Sequence, residues 1–122
     1  MRCRTTLAKS VLGVLVGVLL CCFDGQTAYA LDGKELATTC GDEQNPIRRS
    51  LCIGYITGVS ETLTTVLPVS GICAPAGLSP GQLRTTVTTH LADHPESLSR
   101  PAVGVIWTAL VEAWPCAGMK PQ

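Results

Sequence analysis

Three features predict an all-α fold, a small disulfide-linked bundle of about four helices. Apolar residues recur at three- and four-residue spacing in several stretches, the period of a helix with one buried face. Proline and Asp, Asn or Ser cap signals separate those stretches. Four cysteines remain once a predicted leader over residues 1–30 is set aside. That leader carries Arg2, Arg4 and Lys9, an apolar run from Val11 to Cys22, and Ala28-Tyr29-Ala30 as a small-x-small cleavage site, the pattern of a secretory signal peptide. The apolar run is shorter than the ~20 residues that span a bilayer. Neither Cys21 nor Cys22 follows the Gly or Ala that a lipoprotein signal normally places before its cysteine.

Removing 30 of 122 residues leaves 92, residues 31–122, which read as one domain. Asp32, three residues before Glu35, starts a short first helix with its carboxylate at the N-cap and a second acid at N3. The helix is expected to end near Cys40. Gly41 to Pro46 is polar and proline-terminated, hence a loop. Asn45 or Pro46 then opens the central helix, which must stop by Leu67 because Pro68 disfavours helical geometry in the residue before it. Ile47, Leu51, Tyr55, Val59 and Leu63 form one apolar stripe on it, widened by Cys52 and Ile56. Gly54 and Gly58, one turn apart beside Tyr55, each cost about 1 kcal/mol against Ala in a helix interior. They are helix-packing positions, marking close approach either inside the subunit or between subunits.

Val69 to Leu78 reads as a loop holding Cys73. Ser79-Pro80-Gly81-Gln82 is a strong helix start, with Ser at the N-cap, Pro at N1 and Gln at N3. Leu83, Val87 and Leu91 give the third helix a narrow apolar stripe that ends before Pro95. Ser97 or Ser99 is expected to cap the last helix, with Pro101 in its first turn. Val103, Ile106, Leu110 and Ala113 form its stripe, broadened by Trp107 and Trp114. The tryptophans are expected in the core, because residues 31–122 contain no Phe. So apolar a helix is buried on more than one side, within the bundle or against a second copy.

An even number of cysteines in a small exported chain implies two disulfides. With helices two to four running up, down and up, Cys73 and Cys116 fall at one end, Cys40 and Cys52 at the other. The expected pairs are therefore Cys40 with Cys52 and Cys73 with Cys116. Zinc held by the cysteines is the lesser alternative, since a structural zinc site usually has a Cys-x-x-Cys pair and these four cysteines contain none. Residues 31–122 carry six basic and eight acidic side chains, a net charge of −2. No basic cluster is left for nucleic acid, and no membrane segment remains after leader removal.

Catalytic machinery is not visible. The cysteines are committed to disulfides, no Gly-x-Ser-x-Gly elbow occurs, and the two histidines, His90 and His94, sit one turn apart near Asp93 and Glu96. Two ligands from one helix do not make a metal site, so neither metal nor cofactor is expected. Both histidines read as exposed groups at a helix C-terminus, where the dipole favours positive charge. Glu61 and Glu112 are the acids set well inside the apolar helices. What remains is binding, with Val69 to Leu78 and Asp93 to Arg100 as candidate contact loops.

Four pieces of sequence carry a resemblance: Cys52-Ile53-Gly54-Tyr55-Ile56-Thr57-Gly58-Val59; Cys73-Ala74-Pro75-Ala76-Gly77 leading to Gln82-Leu83; Leu91-Ala92-Asp93-His94-Pro95; and Ala109-Leu110-Val111-Glu112-Ala113-Trp114-Pro115-Cys116. In this order, over most of residues 36–116, they resemble the Rap/Tai family of immunity proteins. Trp114 stands where that family often has Phe, and Leu51 where it often has an aromatic residue. The resemblance implies a helical bundle exported to the periplasm, a homodimer in some members, and occlusion of a peptidoglycan amidase effector of type VI secretion. It implies no enzyme and does not specify the contact residues. The alternative class is a small periplasmic carrier or chaperone for lipid or exposed apolar surface.

Overall fold

The computed structural model describes residues 30–67 and 70–118. The predicted leader, apart from Ala30, lies outside the described residues. Four α-helices, α1 (Gly33–Gly41), α2 (Pro46–Thr65), α3 (Pro80–Asp93) and α4 (Ala102–Ala113), are joined by short connections, with a 3₁₀ helix (Pro95–Ser99) before α4. There is no strand among the described residues, and no described helix is long and apolar enough to cross a membrane.

Three of the helix starts follow from side-chain caps. The Asp32 carboxylate accepts from the Glu35 amide at 2.8 Å, and Asn45 Oδ1 accepts from the amides of Ile47 and Arg48. At α3 the capping box is reciprocal: Ser79 Oγ accepts from the Gln82 amide, and Gln82 Oε1 from the Ser79 amide. The start of α4 differs from expectation. Pro101 is the N-cap and no side chain caps the helix, because Ser97 and Ser99 belong to the 3₁₀ helix. The Ala102 amide, one of the donors a helix start leaves unpaired, instead donates to the Leu31 carbonyl at 2.8 Å.

The core takes Leu36 and Cys40 from α1, Cys52, Ile56 and Leu63 from α2, Val87 and Leu91 from α3, and Val105, Ile106, Ala109 and Leu110 from α4. Ser60 also lies on the buried face of α2 and donates its hydroxyl to its own helix, to the Ile56 carbonyl at 2.7 Å. Arg84 crosses from α3 to the end of α1. Its guanidinium donates to the Cys40 carbonyl at 2.7 Å and pairs with Glu43 at 3.1 Å, placing a donor and a positive charge on carbonyls that the helix end leaves unpaired.

Two disulfides close the bundle. Cys40 is joined to Cys52, tying the end of α1 to the second turn of α2, and Cys73 to Cys116, tying the loop after α2 to the chain after α4. Two isolated antiparallel bridges, Asp32 with Pro101 and Ile72 with Pro115, grip α4 at its ends. The Cys73 amide donates to the Trp114 carbonyl and the Cys116 amide to that of Gly71. Gly71 has φ of +79°, a left-handed conformation that glycine adopts without steric cost.

At the first bridge the Gly33 amide donates to the Arg100 carbonyl at 2.9 Å, and a Cβ at Gly33 would collide with the Ser97 carbonyl oxygen. The obstructing atoms, that oxygen and the Leu98 Cα, are backbone. Gly33→Ala should therefore lower stability by about 1–3 kcal/mol, although Ala is the better helix former by about 1 kcal/mol. Gly104→Ala, where no atom would approach within 4 Å, should leave stability unchanged or raise it. Thermal denaturation of the two variants checks this, and a Gly33→Ala variant as stable as wild type would contradict the contact.

Candidate interaction surface

Helix α2 carries two apolar faces, and among the described residues one of them is buried in the core and the other is exposed. Cys52, Ile56, Ser60 and Leu63 point into the core. Ile47 and Leu51, which sequence periodicity places on the buried stripe, are 71% and 62% exposed. Gly54 and Gly58 are exposed beside them, and a Cβ built on either meets no other part of the chain within 4 Å. Of the two readings their spacing allows, close approach inside the subunit finds no partner among the described residues. Tyr55 and Val59 are half-buried at the edge of the core, and burial holds the Tyr55 hydroxyl above its ordinary pKa.

This face continues onto α4. Apolar clefts run from Pro46 past Leu51 to Tyr55, on past Gly58 to Leu67 and Val103, and end at Trp107. Val103 and Trp107 are exposed, against the expectation that they fill the core. The stripe of α4 that is buried consists of Ala102, Val105, Ile106, Ala109 and Leu110, and Ala113 is likewise exposed. The Trp107 indole donates to the Ser70 carbonyl at 2.8 Å, which fixes its ring at the mouth of the last cleft. Trp114 does pack against the core. The result is an apolar strip along two helices, of the kind that marks protein contact when its area is contiguous.

The two loops differ in character. Of the first, residues 70–78 are described: Gly71 and Ile72 are buried, whereas Cys73 and Pro75 to Gly77 form an exposed rim. Its root is fixed by the Cys73–Cys116 disulfide and the bridge at Ile72. The second is the 3₁₀ helix, pinned beneath by the buried Ser97, with Glu96, Ser99 and Arg100 exposed.

A polar cluster lies behind the second loop. His90 is buried, not exposed as its helix-end position suggests; its Nδ1 lies 2.9 Å from Glu112 Oε2 of α4 and its Nε2 3.4 Å from Ser97 Oγ. The His94 ring stacks on His90, centroids 4.5 Å apart, with Nδ1 3.0 Å from Glu96 Oε1. The Glu96 carboxyl is held below its ordinary pKa, first by its own backbone amide and then by the His94 hydrogen bond. Because the folded state favours the carboxylate, any stability this adds is present above the ordinary Glu pKa and lost in acid. Glu112 is the group that sequence reasoning singled out without a partner; Glu61 stays on the exposed side of α2.

Ser97 Oγ, the hydroxyl that faces His90 Nε2, is itself buried at 2% exposure. The surface can bind and the clefts can receive an apolar partner. Comparison with curated proteins and with solved structures yields no match. A family model does match, that of the Rap1a immunity proteins, and it covers residues 32–116. Its limits nearly coincide with the folded unit, from the Asp32 cap to the second disulfide. With the helical architecture and the disulfide frame in accord, the chain belongs to the Rap1a immunity protein family.

Proposed function

We propose that this protein is a periplasmic immunity protein that binds a peptidoglycan amidase effector of type VI secretion and occludes its substrate cleft, with no reaction of its own. The observation that carries the reading is the family match over nearly the whole folded unit. Two disulfides support an oxidising compartment outside the cytosol, and the leader expected over residues 1–30 would deliver the chain there. A rigid, closed bundle suits inhibition by occlusion, since a preorganised surface loses little conformational freedom on binding. The exposed rim at Pro75 to Gly77 and the 3₁₀ helix Pro95–Ser99 are the candidate effector contacts.

The apolar strip on α2 is proposed as the face for a second copy of the chain. Glycines one turn apart let two helices approach closely, and a two-fold axis through Gly54 and Gly58 would set each Leu51 and Tyr55 against its counterpart. The carrier alternative fits less well, because the clefts lie on the surface and the interior is closed around Leu36, Ile56 and Ile106, each 0% exposed.

The purified protein should form a stoichiometric complex with a cysteine amidase encoded beside it and suppress that enzyme's release of peptidoglycan fragments. No complex, or undiminished amidase activity with the protein in excess, would remove the immunity reading. Gly58→Leu tests the second-copy face separately. Space around Gly58 within the subunit and the better helix propensity of Leu, by roughly 0.8 kcal/mol, should preserve the fold, while the mass by light scattering falls from dimer to monomer. A wild-type monomer, or a variant that remains dimeric, would exclude this face.

A further inference from the structure

We propose that His90, His94 and Glu112 form a binding site for a zinc ion. One donor atom from each of the three residues lies within 4.8 Å of the others. His90 Nδ1 and His94 Nε2 both face the same carboxylate oxygen, Glu112 Oε2, at 2.9 and 4.0 Å. In a tetrahedral site with bonds of about 2.0 Å, donors stand roughly 3.3 Å apart, so the two separations bracket that value. The half-exposed His94 side chain has room to move toward the carboxylate.

The outer nitrogens strengthen the assignment. A zinc-bound imidazole presents one nitrogen to the metal and usually gives its other N–H to an oxygen, which fixes the ring and its tautomer. Both rings have such a partner here: Ser97 Oγ lies 3.4 Å from His90 Nε2, and Glu96 Oε1 lies 3.0 Å from His94 Nδ1. An ion pair between His90 and Glu112 alone would need neither the second ring nor its carboxylate.

Two imidazoles favour zinc over magnesium or calcium, which prefer oxygen ligands throughout. All three donors border an open cleft that also includes Thr89 and Asp93, so a fourth ligand, water or a partner's side chain, can reach the metal. The ion would link α3 and α4, with the 3₁₀ helix held through the outer partners Glu96 and Ser97.

Titration of ZnCl2 into the purified, disulfide-intact protein carrying no histidine tag tests the site by calorimetry. The expected result is one saturable site per chain and a rise in melting temperature with zinc. Glu112→Gln and His94→Ala should each weaken binding by at least about tenfold, and Glu96→Gln, which touches only the outer nitrogen of His94, by roughly 10- to 100-fold. His94 is 41% exposed, so His94→Ala keeps the measurement decisive should Glu112→Gln unfold. Absence of saturable binding, or binding that His94→Ala leaves unchanged, would overturn the site.

Discussion

Closure by sulfur at two points of the bundle is the constraint on which the other features rest, because the core it encloses is small. Four Leu and Ile side chains, Leu36, Ile56, Ile106 and Leu110, are fully enclosed, and no aromatic side chain among the described residues is enclosed as deeply. Fully burying one such side chain is worth about 1.5–3 kcal/mol, and burial summed over a whole domain is nearly cancelled by the conformational entropy lost on folding. The Cys40–Cys52 and Cys73–Cys116 links each stabilise a domain by roughly 2–4 kcal/mol, a large fraction of what folding can leave as a net gain. The second link also places one of the two backbone bridges: Cys73 and Cys116 hold Ile72 against Pro115. At the other end of α4, Gly33 lets the N-terminal segment lie on the 3₁₀ helix.

That arrangement decides which face of α2 turns inward. Cys52 is bound to Cys40, so the face bearing Cys52, Ile56 and Leu63 must meet α1 and the rest of the core. The face bearing Ile47, Leu51 and the two glycines is then left exposed among the described residues. A small core thus leaves apolar side chains outside, and on α4 the same reasoning leaves Val103 and Trp107 at the surface. In a family whose members act by binding, such an unsatisfied strip is an asset only if another chain covers it.

The helices and most of their starts were legible in the sequence because caps are local. Asp32, Asn45 and the Ser79/Gln82 pair act within three residues of themselves, and proline sets boundaries by its own geometry. Burial was less legible. Helix α2 offers two apolar stripes of nearly equal strength, and periodicity cannot say which one faces the core. The buried Ser60, its hydroxyl bonded back to its own helix, further disguises the inward stripe. The 3₁₀ helix consumed the serines expected to cap α4, whose first amide is satisfied from Leu31, some 70 residues away in sequence. The histidine cluster was legible only in part: the one-turn spacing of His90 and His94 is local, but their third partner, Glu112, comes from another helix. Its isolation in an apolar segment was the available signal.

The most direct test of this account is equilibrium urea unfolding of the purified protein, followed by far-ultraviolet circular dichroism with its disulfides intact and again with all four thiols kept reduced. The account predicts a cooperative transition for the oxidised protein and, for the reduced one, a midpoint moved far toward zero urea or no folded baseline, since two links together contribute about 4–8 kcal/mol. Coincident transitions in the two states would show that packing alone holds the bundle and would contradict the account.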